Sequence, residues 1–119
     1  LLVLTGDSHS FWRNRLFDAQ GRAMGVELGT TGVSSPGDFI EFGDTGARLV
    51  DARLATSNEE VLWTDGRHNG YLRISIERDF ARADYIAVST VLSTDYSVSV
   101  LDSAVIERAH GQLSYRDRS

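Results

Sequence analysis

The chain opens on Leu1-Leu2-Val3-Leu4, closed by Thr5-Gly6 and followed at once by Asp7-Ser8-His9. A run this short and unbroken fits a strand covered on both faces rather than a helix, and such strands are built into the middle of larger sheets. Gly6 lets the backbone turn sharply, so a carboxylate and an imidazole follow the end of a buried strand. If the extended conformation persists through the motif, Asp7 and His9 project to the same side and can reach one cation, with Ser8 pointing elsewhere. A carboxylate with a neutral imidazole suits a divalent or trivalent first-row metal. An open position on such a metal can activate water or polarise a phosphoryl oxygen. The same residues admit a plainer reading, in which Asp7 caps the turn or the next helix and His9 is a partly buried hydrogen-bonding histidine.

The pattern downstream is mostly β. Phe11, Trp12 and Leu16 fall at helix-like spacing after Ser10, a candidate N-cap, so a short helix or irregular turn is expected there. Asp18-Ala19-Gln20-Gly21 reads as a turn, and Met24, Val26 and Leu28 alternate with Gly25, Glu27 and Gly29 as a strand. Residues 29–38 read as a loop. Asp44 is placed to cap a helix through Ala55, with Ala47, Val50 and Leu54 inward and Arg48, Asp51 and Arg53 outward. Val61-Leu62-Trp63 and the alternating Leu72, Ile74 and Ile76 flank a turn-rich segment whose Asp65-Gly66 and Asn69-Gly70 are hairpin signals. A turn at Ala81-Arg82-Ala83-Asp84 then leads into a strand over Tyr85 to Leu92. Tyr96, Val98 and Val100 begin a last strand continuing to Ile106, and the polar tail from Ala109 is expected to fray. The expected class is α+β, mostly antiparallel strands with one or two short helices.

Three blocks of residues, in order, carry a family resemblance. Gly6-Asp7-Ser8-His9 is followed by Ser10-Phe11-Trp12; Gly25-Val26-Glu27 leads through Leu28-Gly29-Thr30-Thr31-Gly32-Val33 into Ser34-Ser35-Pro36-Gly37; and Asn58, Trp63 and Gly70-Tyr71 form the last block. Together, over about residues 1 to 95, they resemble the C-terminal portion of PhoD-like alkaline phosphatases/phosphodiesterases. The resemblance implies a metallophosphatase-type β-sandwich and a hydrolase of phosphomonoesters or phosphodiesters. In it Asp7 and His9 match the late Asp and His of a catalytic centre holding iron together with calcium. It implies a periplasmic or extracellular setting, and an upstream half that supplies aspartates, an asparagine and, in some members, a cysteine and a tyrosine. This chain has no cysteine, and its four tyrosines all follow residue 70. The expectation is therefore a single domain over residues 1–119 that is a C-terminal fragment of the family's domain, inactive alone, with strand edges open to self-association. The alternatives are a non-catalytic β-rich association module, or a subdomain whose upstream half is a separate chain.

Size and charge fit that expectation. A chain of 119 residues can bury one modest core. Its net charge of −5, with acids and arginines interspersed, argues against a nucleic-acid platform. All 12 basic residues are arginine, so a cationic phosphate clamp here would be a guanidinium capable of bidentate contact. No segment has the about 18 apolar residues of a membrane span, and none of these residues reads as a signal peptide.

Other residues carry paired readings. Arg13 and Arg15, close to the motif, either stabilise phosphoryl charge or are ordinary surface arginines. His68 is a solvent-exposed turn residue or approaches the mouth of the metal site. Thr30, Thr31, Ser34 and Ser35 hydrogen-bond a phosphate or belong to a packed turn stiffened by Pro36. His110 reads as exposed, and Trp12 and Trp63 as core.

Overall fold

The computed structural model describes residues 1–37 and 39–117. Among them eight strands form two four-stranded sheets. The first sheet holds β1 (Leu2–Thr5), β2 (Phe11–Phe17), β3 (Ala23–Gly29) and β4 (Val61–Asp65), in the order β1-β3-β2-β4. β1 runs parallel to β3, and β2 is antiparallel to both β3 and β4. This topology gathers the C-terminal ends of β1, β3 and β4 and the start of β2 at one end of the sheet. There Thr5 pairs with Gly29, Trp12 with Gly29 and Thr64, and Phe11 with Asp65. The second sheet is an antiparallel meander of β5 (Gly70–Ile76), β6 (Phe80–Val88), β7 (Val98–Ala109) and β8 (Gln112–Tyr115). Helix α1 (Gly43–Ser57) follows a 3-10 turn at Ile40–Phe42 and packs on β4. Two sheets of mostly antiparallel strands with one α-helix make the fold α+β, as the sequence pattern indicates.

The core lies between the sheets. Phe11, Val26 and Leu28 of the first sheet meet Ala81, Ala83, Tyr85, Ala104 and Ile106 of the second. Tyr85 presents its ring edge-on to Phe11 at 5.5 Å and to Trp63 at 4.8 Å, while its hydroxyl donates to the Trp12 carbonyl at 2.9 Å. Such aromatic pairs add directional stabilisation to the area they bury. Arg13 also crosses the seam, pairing with Asp102 at 3.0 Å with its guanidinium over the Trp63 ring. On the opposite flank the Tyr115 hydroxyl reaches the carbonyls of Asn14 and Glu27, and burial pushes this phenol well above its usual pKa.

Tertiary pairing overrides several local signals. The segment from Ser10 to Leu16 is not helical: residues 11–17 form β2, because pairing with β3 and β4 on both sides satisfies its backbone and sends Phe11 to the core. Asp51 does not face outward. It is buried where α1 meets β4, and the Gly66 amide donates to both its oxygens, at 3.0 and 3.2 Å. Residues 65–70 are not a hairpin, since β4 and β5 belong to different sheets. Ala81 to Asp84 lie inside β6 rather than in a turn. Ala81 and Ala83 are buried, and the chain reverses earlier, at Glu77-Arg78-Asp79, where the Glu77 amide donates to Phe80 O. β6 stops at Val88, short of Leu92, and Tyr96 precedes β7, which continues past Ile106 to Ala109. Ile76, expected in the core, is 68% exposed at the end of an edge strand. Asp44 lies in the first turn of α1, where the N-cap position is Phe42, and it pairs with Arg48 and Arg67. Residues 110–115 form a hairpin with β7 instead of a frayed tail: His110 and Gly111 both take positive φ (54° and 76°), the geometry of a tight turn, and β8 returns along β7.

The aromatic seam sets a stability prediction. Phe11→Ala should lose about 3–5 kcal/mol in chemical denaturation of the purified protein, whereas Leu49→Ala, at an exposed helix position, should stay within about 0.5 kcal/mol. A loss below about 1 kcal/mol for Phe11→Ala would show that this ring does not hold the sheets together.

Candidate active site

Three loops meet at the end of the first sheet where β1, β3 and β4 terminate. The loop after β1 carries Gly6-Asp7-Ser8-His9, the loop after β3 carries residues 30–37, and the loop after β4 carries Gly66-Arg67-His68-Asn69. Ligand sites of sheet proteins are built at such strand ends, because the loops there are free to vary while the strands fix their roots.

β1 ends at Thr5, and Asp7 has a positive φ of 74°. The extended conformation therefore does not persist through the motif, and strand alternation does not set the directions of Asp7 and His9. Both residues are exposed. Among the described residues the Asp7 carboxylate has no hydrogen-bond or ion-pair partner. His9 has one: its Nδ1 sits 3.1 Å from the Pro36 carbonyl. A carbonyl there favours the tautomer with the proton on Nδ1 and leaves the Nε2 lone pair open, the arrangement in which histidines ligate metals. The loop is braced from below by Trp12, whose Nε1 donates to Ser8 Oγ at 3.0 Å. Gly29 lies close against this residue, and a Cβ there would stand 3.0 Å from Trp12 side-chain carbons, a tighter contact than side chains ordinarily make.

The loop of residues 30–37 is the bridge between its neighbours. Asn69 Nδ2 donates to Gly32 O at 2.8 Å and also to Ser35 O, and the Gly70 amide donates to Gly32 O. Gly37 lies so close to the Gly66 carbonyl that a side chain would collide with it. These contacts pack the loop against its neighbours. Ser34 and Ser35 are exposed, and the buried Thr31 hydroxyl has no hydrogen-bond partner among the described residues.

The third loop holds what the sequence pattern did not reveal. Asp65, at the end of β4, is 3% exposed and accepts hydrogen bonds from the amides of Arg67 and His68, from Arg67 Nη2, and from His68 Nδ1 at 3.0 Å to each oxygen. Burial opposes its charge, but the His68 ring and the two amides outweigh that and hold the carboxyl at about 2. His68 is thus half-buried and oriented by a carboxylate, not a bare turn residue. Arg67 spans Asp65 and Asp44, tying the loop to α1. Neighbouring Asp51 is pushed the other way: burial raises its pKa, only partly offset by the Gly66 amide. The spacing Asp65-x-x-His68 was the available signal, and the adjacent Gly66 disguised it as a hairpin. Arg13 is not at this mouth, being enclosed between the sheets with Asp102. Arg15 lies further along β2, donating to Glu59 O. Among the described residues no three His, Cys, Asp or Glu side chains gather as a metal-holding group.

A family model described as PhoD-like phosphatase matches residues 1–85. The chain belongs to the PhoD-like phosphatase family. A solved structure titled "Structure of PhoD" superposes with a TM-score of 0.68 at 19% identity, covering 99% of this chain and 22% of that one. At that identity the likeness is one of fold. The chain therefore spans about a fifth of the solved protein it matches. No curated protein matches the sequence.

The depressed Asp65 pKa implies a pH dependence of stability. Its folded value, about 2, lies below the ordinary 3.8, so the stabilisation is complete above about pH 4 and is lost as pH falls from there toward 2. Asp65→Asn should cost about 2 kcal/mol at pH 7, and acid denaturation series of the two proteins should converge toward pH 2. A gap unchanged down to that pH would mean the carboxylate charge is not what stabilises this loop.

Proposed function

We propose that this chain is the portion of a metal-dependent phosphoester hydrolase that brings Asp7 and His9 to the catalytic centre. The observation carrying this reading is the loop after β1: an unpartnered carboxylate beside an imidazole whose Nδ1 is held by the Pro36 carbonyl and whose Nε2 is open. The membership of the family supplies the reaction class, and the donor set of one oxygen and one nitrogen fits a first-row cation. Iron together with calcium is the metal pair that the family resemblance supports. When bound, such cations would activate water and offset charge on the phosphoryl oxygens.

The chain's own residues do the positioning. Trp12 and Ser8 brace the motif loop, Pro36 sets the His9 ring, and Asn69 fixes the bridging loop against the third. Two ligands do not define a two-metal centre, so the remaining ligands are proposed to come from the rest of a longer protein, consistent with a chain that spans 22% of its solved neighbour. On that reading residues 1–119 are the C-terminal part of the family's domain, in a protein exported to the periplasm or exterior. Among the described residues the outer edge of β1, beside the exposed Leu4, has no paired strand and could take a further one. In the isolated chain that edge supports self-association.

In the complete protein, Asp7→Ala or His9→Ala should lower turnover of a chromogenic phosphodiester by orders of magnitude while circular dichroism and melting temperature stay unchanged. Near-normal turnover in either variant would remove that residue from the list of ligands. The 119-residue chain by itself should hydrolyse the substrate poorly with or without added iron and calcium.

A further inference from the structure

We propose that His68 is the proton donor to the leaving group in phosphoester hydrolysis, with Asp65 as its positioning residue. The inference rests on the reading above and adds a residue to it. The Asp65 carboxylate engages the His68 Nδ1 through both oxygens at 3.0 Å, and the His68 amide donates to the same carboxylate, so ring and backbone are fixed together. This is the arrangement in which a buried carboxylate sets the tautomer and orientation of a histidine. Asp65 is itself locked by Arg67 and buried at the strand end, and its low pKa keeps it charged at neutral pH. No other partner is needed to explain that rigidity, yet the His68 Nε2 has no partner among the described residues. The ring is one-third exposed, so a substrate can reach it.

Placement supports the role. His9 is bonded to the loop of residues 30–37 through Pro36, and the His68 loop is bonded to the same loop through Asn69 to Gly32 and Ser35. Both histidines are therefore tied to one bridging loop, at one end of one sheet. In the role proposed, the open Nε2 of His68 serves the ester oxygen rather than a cation. In the step proposed, a water oxygen forms the new bond to phosphorus as the bond from phosphorus to the ester oxygen breaks. The proton on His68 Nε2 passes to that oxygen, the attacking water releases one proton to solvent, and the neutral ring takes one back from solvent. Proton donation of this kind contributes typically 10²–10⁴-fold. It matters most where the departing alkoxide is poor and least where it is a stable aryl oxide.

The test compares His68→Gln with the unmodified complete protein on two phosphodiesters, one releasing p-nitrophenolate and one releasing a simple alcohol. The expected result is a loss in kcat of about 100-fold or more on the alkyl ester and less than about 10-fold on the aryl ester. Asp65→Asn should follow in the same direction with a smaller loss. Equal losses on both esters, or none, would overturn the proposal, because a merely structural role carries no leaving-group dependence. Asp7→Ala and chelator treatment run alongside separate the two readings. Full activity in both of those would sink the metal assignment. A missing leaving-group effect with the metal dependence intact would sink only the role of His68.

Discussion

The structure depends on β2 being a strand with two neighbours and an inner face that grips the opposite sheet. Phe11 packs edge-on to Tyr85, Tyr85 hydrogen-bonds the Trp12 carbonyl, and Arg13 pairs across the seam with Asp102. Three consecutive residues thus join the two sheets, and they directly follow the Asp7-Ser8-His9 loop. The motif loop is held at both ends as a result. β1 is paired in parallel to β3 on one side, and the start of β2 is anchored in the core on the other. Trp12 then uses its outward side to reach Ser8, so the same strand that closes the core braces the motif.

Around that anchor the chain arranges its polar groups with a division of labour. The buried carboxylates are bonded, Asp51 to Gly66 and Asp65 to His68 and Arg67, and Arg13 pairs with Asp102 between the sheets. The groups open for chemistry sit on loops just beyond the strand ends. A buried charge costs stability unless it is bonded, which is why the paired acids recede while Asp7 stays at the surface. Such a surface carboxylate costs the fold little and is available to a cation.

Several of the strands were legible from the sequence. The alternation of Val26 and Leu28 and of Leu72 and Ile74 marks β3 and β5, and Leu2-Val3-Leu4 marks β1. Asp7 and His9 stand out by type and spacing, and the ordered motifs point to the family. What was not legible was long-range. Phe11, Trp12 and Leu16 share a local spacing that suits a helix, and only pairing with β3 and β4 decides for a strand. Ala81 and Ala83 read as a turn next to Arg82 and Asp84 until Tyr85 and Ile106 enclose them. The polar tail became β8 because His110-Gly111 turns tightly and Tyr115 reaches back to the first sheet. The pairing of Asp65 with His68 was hidden because Gly66 suggested a hairpin, whereas the carboxylate instead gathers the following amides and ring around itself.

The central claim is that the loop after β1 is a metal-binding loop, and anomalous diffraction from crystals of the complete protein tests it most directly. Data collected on either side of the iron absorption edge should place a peak within coordination distance of His9 Nε2 or of an Asp7 carboxylate oxygen, with the His9 Nδ1 still on the Pro36 carbonyl. An iron peak elsewhere, with both side chains left to solvent, would contradict the account.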